Sequence, residues 1–184
     1  MTDHVVYGKA LFEAALESGE IEPVRAELET VCGVIEGEPG CVALFDTPAL
    51  SRGEKHGAAD AAFGDLSTLT LNFIKLLSDR SLFYIFGKAA GEYFRLYDMH
   101  HNIERAEAIT ARPMTEAQSA ALCRTLESML GKRVILQNTV DPQVLGGVRV
   151  ICSGKQLDGS LRRRLSDLEQ RLKIRLFKDY LVKK

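Results

Sequence analysis

The spacing of apolar residues changes once along this chain, near Asn102, and that change limits the fold more than any other feature. Before it, apolar residues recur at helical intervals. Val5, Phe12 and Leu16, widened by Tyr7, Leu11 and Ala15, predict a helix over residues 4–17 that Gly19 closes. Ile21, Val24, Leu28, Val31 and Ile35 predict a second over 21–36, with Glu22 and Pro23 suited to its first turn. The Glu36–Gly40 segment breaks the chain, a short helix follows at 41–45, and Asp46-Thr47-Pro48 turns it. An Ala-rich helix is expected over 51–63, with Gly57 its weak point. Leu66, Leu69, Phe73, Leu76 and Leu77 then form one stripe over 66–77. Ser81 is placed to cap a last, aromatic-rich helix over 82–101. Helices joined by short breaks, without strands, imply an all-α six-helix N-terminal bundle.

After Asn102 the period shortens. Residues 103–112 alternate through Ala106, Ala108 and Ile109, as a strand does, until Pro113. Thr115 and Gln118 form a T-x-x-Q capping box for a helix bearing Ala121, Leu122, Leu126, Met129 and Leu130, stopped by Gly131. Val134–Leu136 with Val140 and then Val148–Ile151 read as strands, and a turn at Ser153–Lys155 leads to Gln156 and Leu157. Asp158-Gly159-Ser160 is expected to turn the chain and cap a final helix lined by Leu161, Leu165, Leu168 and Leu172. The second part is therefore a small α+β domain, and the expected domains are 1–101 and 102–184.

Charge is distributed unevenly. Residues 1–100 hold 8 Lys/Arg against 16 Asp/Glu, 101–158 hold 7 against 6, and 159–184 hold 9 against 3. The whole chain sums to −1, which disfavours a nucleic-acid binder, yet its acidic front and basic back suit different partners at the two ends. The four cysteines lack metal-ligand spacing and are expected as buried, reduced thiols. The N-terminus lacks the basic start and apolar run of a signal peptide, and no window approaches a membrane span.

Candidate chemistry is sparse. His100 and His101 point about 100° apart on a helix, so even with Asp98 they make a poor metal site. Gly87-Lys88, Gly131-Lys132 and Gly154-Lys155 each lack the rest of a phosphate loop, and Gly146-Gly147 follows no dinucleotide fingerprint. No catalytic residue, cofactor or metal is expected. The run Arg162–Arg164 supports an alternative reading as a basic-helix RNA-binding protein, against which stand the near-zero net charge and the missing RNA-binding motifs. A small metal-dependent enzyme using His100, His101 and Asp98 is the other rival.

Two motifs carry a resemblance. V-D-P-x-x-L-G-G-V-R-V at 140–150 and L-D-G-S-L-R-x-R-L at 157–165 closely resemble the C-terminal signature of the delta subunit (OSCP) family of F-type ATP synthases. Tyr7–Phe12 (YGKALF) is similar to that family's Y-A-K-A-L-F, and Asn72–Leu77 (NFIKLL) to its N-F-[LI]-x-L-[LM] helix. Gly8 stands where the family motif has alanine, at a cost of up to about 1 kcal/mol in helix propensity. Residues 83–101 match loosely, and Lys173–Lys184 extend past the usual end.

The resemblance implies a non-catalytic stator subunit that ties the catalytic head to the peripheral stalk, against rotor torque, in a complex coupling proton flow to ATP synthesis. It implies an N-terminal domain binding the N-terminal helix of an alpha subunit and a C-terminal domain binding the C-terminal region of the b subunit. It also implies a peripheral place on the cytoplasmic face of the bacterial cell membrane. For the first contact, Tyr7, Leu11, Asn72 and Leu76 are expected to form a groove between the first helix and the 66–77 helix. Periodicity alone equally allows Leu11 and Leu76 to be ordinary core. For the second contact, Gly146-Gly147 and the basic helix are the candidates.

Overall fold

A computed structural model describes residues 3–38, 40–144, 146–152 and 154–158. The Gly159-Ser160 turn, the final helix with Arg162–Arg164, and the tail 173–184 lie outside the described residues. The chain divides into two compact units, Met1–His101 and Asn102–Lys184. The first is helical and the second α+β, which is the expected fold class in its broad form.

The first unit contains α1 (Asp3–Ser18), α2 (Ile21–Gly37), α3 (Gly40–Asp46), α4 (Arg52–Phe63), α5 (Thr68–Asp79), a 3-10 turn at Phe83–Ile85 and α6 (Phe86–His100). Helix α1 packs most extensively on α6. Gly8 makes that contact possible: a Cβ there would lie 2.4 Å from the Ala89 carbonyl oxygen and 2.7 Å from Glu92 Cβ. Glycine therefore loses helix propensity but gains close helix packing. Around this contact Phe12 meets Tyr93 edge-to-face at 5.4 Å. The Tyr93 hydroxyl donates to the Ile21 carbonyl at 2.9 Å, tying α6 to the start of α2. Burial, and then the nearby Glu22 carboxylate, push the Tyr93 phenol well above its usual pKa. A second aromatic cluster runs Phe45–Phe83–Phe86–Phe73, with centroids 4.7, 5.4 and 5.8 Å apart in turn.

Helix α5 corrects the sequence expectation in position and face. It begins after Ser67, whose hydroxyl accepts from the Thr70 amide at 3.3 Å. Glu27 of α2 reaches across to accept from the Ser67 amide at 2.7 Å and its hydroxyl at 2.6 Å, and from the Thr70 hydroxyl. This distant carboxylate fixes where the helix starts, and Leu66 is left outside. The buried face is Thr70, Phe73, Ile74, Leu77 and Ser78, while Leu76 is exposed. The small polar residues are internal because partners on other helices satisfy them: Ser78 Oγ donates to the Phe45 carbonyl at 3.0 Å.

Ser81 does not cap the aromatic helix. Its backbone is left-handed, with φ 52°, and the chain enters α6 through the 3-10 turn. The cap comes from Asp46, whose carboxylate accepts from the amides of Phe83 at 2.7 Å and Tyr84 at 2.9 Å. Leu16, expected on the buried face of α1, is 44% exposed. Among the cysteines only Cys152 is buried, whereas Cys32, Cys41 and Cys123 are half-buried. Burial raises the thiol pKa of Cys32 and Cys41, with Glu36 and Glu29 adding to the effect at Cys32.

The second unit is built on β1 (Ile103–Thr110), α7 (Glu116–Leu130), β2 (Arg133–Val140), β3 (Val148–Cys152) and β4 (Lys155–Asp158). The sheet order is β2-β1-β3-β4. The α7 crossover makes β1 and β2 parallel, from Ile103 opposite Arg133 to Thr110 opposite Val140. The other two pairings are antiparallel. Both expected α7 end signals are present: the Thr115/Gln118 capping box, and Gly131 at φ 64°. The core gathers Ala106, Leu126, Val134, Val150 and Cys152, with Leu122, Leu136 and Val148 against it. Met129 and Leu130, two of the apolar residues that α7 carries, are exposed, and β1 ends at Thr110 rather than Arg112. Gly146 and Gly147 have φ of 132° and 81°, which glycine tolerates best, so the pair shapes the approach to β3.

Two substitutions test this account by thermal or denaturant unfolding. Gly8→Ala should lower stability by about 1–3 kcal/mol, since overpacking against α6 outweighs the gain in helix propensity. Asp46→Ala should cost about 1–2 kcal/mol through loss of the cap on the 3-10 turn.

Candidate partner-binding site

Helices α1 and α5 leave an apolar trough between them. It is lined by Tyr7, Ala10, Leu11 and Ala14 from α1 and by Leu69, Asn72, Phe73 and Leu76 from α5, and holds roughly 200 Å³. All four residues singled out from the sequence are brought together here. Their roles in the structure differ. Leu11, at 4% exposure, and Phe73, at 6%, form the floor, whereas Asn72 and Leu76 stand on the exposed rim and Tyr7 is half-buried. Leu11 thus belongs to core and trough at once, whereas Leu76, at 43% exposure, lines the trough without belonging to the core.

The trough exists because α1 presents small side chains on this side. Ala10 and Ala14, one turn apart, leave space that Leu69 and Leu76 face from α5. Sequence reasoning missed both alanines, since small residues at helical spacing look like filler in a stripe. It also missed Phe73 as part of the site, although the residue stood in the 66–77 stripe. The polar groups of the lining are the Asn72 amide and the Tyr7 hydroxyl, on opposite helices. A mostly apolar, elongated depression between two helices, with an amide and a phenol at its edges, can take the apolar face of another helix. It has no arrangement for acid–base or nucleophilic chemistry.

The other candidates resolve differently. His100 lies edge-on to Phe12 with centroids 6.0 Å apart, while His101 stacks on Tyr97 at 4.2 Å. His101 Nε2 is 3.6 Å from Glu22, whose carboxylate also accepts from the Tyr97 hydroxyl at 2.6 Å. That hydrogen bond, and then burial, raise the Tyr97 pKa. No group of three His, Cys, Asp or Glu side chains is arranged to hold a metal ion among the described residues. In the second unit, Gly146 and Gly147 border an open recess with Pro113, Met114, Ala121 and Leu122. The arginine run that was to accompany them lies outside the described residues.

Comparison with known proteins gives a consistent result. Residues 5–172 match the family described as "ATP synthase delta (OSCP) subunit". The chain is similar to the ATP synthase subunit delta of Sinorhizobium fredii, 38% identical over 172 residues, covering 91% of this chain and 90% of that one. It is 31% identical over 180 residues to the subunit delta of Solidesulfovibrio magneticus, covering 94% and 98%. Among solved structures, a chain in the cryo-EM structure of the Toxoplasma gondii mitochondrial ATP synthase hexamer shares the fold. Its TM-score is 0.69 at 19% identity, covering 94% of this chain and 98% of that one.

The two leucines of the trough should respond oppositely to substitution. Leu76→Ala should change unfolding free energy by no more than about 0.5 kcal/mol, as at other exposed positions. Leu11→Ala should cost about 2–5 kcal/mol, because it empties buried volume.

Proposed function

This chain belongs to the ATP synthase delta (OSCP) subunit family, and from that premise we propose that its α1–α5 trough is where it grips the catalytic head. It is a non-catalytic subunit of the F-type ATP synthase and acts as part of the stator. As a member of this family the chain has a peripheral place in the membrane complex. No helix among the described residues is long and apolar enough to cross a membrane.

The first unit serves as a six-helix bundle on the head, receiving the N-terminal helix of an alpha subunit in the trough. The second unit holds the C-terminal region of the b subunit, with Gly146-Gly147 and the basic segment Arg162–Arg164 as its candidate contacts. The subunit sits on the cytoplasmic face of the bacterial cell membrane, reaching it through the complex. The observation carrying this reading is the trough itself: an apolar depression with Leu76 exposed on its rim, where a soluble helix surface ordinarily presents polar groups.

Mechanically, the task needs no chemistry. A rotor turning inside the head exerts torque on it, and the stator must transmit an equal reaction to the stalk without yielding. A helix seated between α1 and α5 is held by side-chain packing along its length. The sheet of the second unit, with β1 hydrogen-bonded to β2 and β3, provides a firm base for the other connection. The acidic first hundred residues and basic last segment suit two different partners.

The test is direct binding of a peptide from the alpha-subunit N-terminus to the full chain, followed by calorimetry or fluorescence anisotropy. Micromolar or tighter binding is expected, and Leu76→Asp should weaken it on the order of tenfold or more by placing a charge in an apolar contact. Absence of binding at micromolar concentrations would overturn the reading.

A further inference from the structure

Leu76 stands between two cavities. On one side lies the apolar trough; on the other is a polar cavity of roughly 450 Å³, lined also by Leu50, Arg52, Lys55, Ser78, Asp79 and Arg80. The second cavity has more positive charge than its own carboxylate can match. Lys55 is 6% exposed, and its ammonium reaches the Ser78 carbonyl only at 3.5 Å. An ammonium has three donors, and a charge so deeply buried is costly without an anionic partner. Arg80 adds an exposed guanidinium.

Nearby acids are already engaged. Asp79 pairs with Arg52 at 2.7 Å and lies 2.9 Å from His56 Nε2. Glu54 is closed into its capping box with Ser51, and Asp60 is paired with Lys75 at 2.5 Å.

We propose that this cavity receives a carboxylate from the same segment that fills the trough. The occupant is then an amphipathic helix carrying an Asp or Glu just beyond the apolar side chain that meets Leu76. The proposal rests on reading the trough as the partner site and adds to it a direction. From Leu69 to Leu76 the α5 rim runs about 10 Å, or two helical turns. An apolar trough of that length accepts a helix either way round. A cationic pocket at the Leu76 end accepts only the orientation that brings the carboxylate to Lys55 and Arg80, and it fixes the register as well.

The experiment uses the full chain and two labelled peptides in fluorescence anisotropy. One is the N-terminal segment of the alpha subunit; the other has its Asp and Glu replaced by Asn and Gln. The protein variants are Arg80→Gln, at an exposed position, and Lys55→Met combined with Arg80→Gln, checked for folding by circular dichroism. Neutralising the peptide should weaken binding to the natural chain on the order of tenfold. In the variants the two peptides should converge in affinity, and the salt dependence of binding should flatten. Equal affinity of the acidic peptide for the natural chain and both variants, with unchanged salt dependence, overturns the carboxylate pocket while leaving the trough reading intact. Binding of neither peptide to the natural chain overturns the trough reading, and the pocket with it.

Discussion

The first unit depends on how closely α1 can approach α6. At Gly8 the backbone of one helix rests against the Ala89 carbonyl of the other, with no room for a Cβ. That approach seats Phe12 against Tyr93, whose hydroxyl secures α2 in turn. With one face of α1 committed to α6, a neighbouring face is left to meet α5. Because that face carries Ala10 and Ala14, the meeting is incomplete and an apolar trough remains. The trough is therefore a consequence of core packing rather than an addition to it.

Polar side chains set the positions of the pieces around that trough. Glu27 defines the first turn of α5 from another helix, and Asp46 caps the turn into α6. Each satisfies backbone amides that a helix start leaves unpaired, and each does so across more than thirty residues of sequence. Ser78 and Lys55 continue the theme at the other end of α5, where the buried face admits polar groups in exchange for contacts to main-chain carbonyls. A stator subunit that must hold its shape under load is served by such long-range ties, since they link helices that simple apolar packing would leave free to slide.

Much of this was legible in the chain. The change of period at Asn102, the T-x-x-Q box at Thr115 and the αL glycine at Gly131 depend on local geometry, and they appear where expected. The trough residues Tyr7, Leu11, Asn72 and Leu76 were also legible, through their motif resemblance, and the structure brings them together. The misses share one cause. The stripe through Leu66, Leu69, Phe73, Leu76 and Leu77 is continuous by spacing, yet the buried face keeps only Phe73 and Leu77 of it and adds Thr70, Ile74 and Ser78. Spacing reports where apolar residues lie on a helix and says nothing about which distant groups will satisfy its polar ones. Ser81 failed as a cap for the same reason, because Asp46 supplied a better acceptor from outside the segment.

The sequence by itself determined the two-part organisation, the type of most elements and the membership of the family, because period, capping and turn chemistry act over a few residues. Tertiary structure decided which face of each helix went inside, how Gly8 is used, and that Leu11 and Leu76 lead different lives within one site. It also decided that Lys55 would lie buried next to that site. Those outcomes depend on close packing and on hydrogen bonds between segments far apart in the chain, which become defined only when the helices meet.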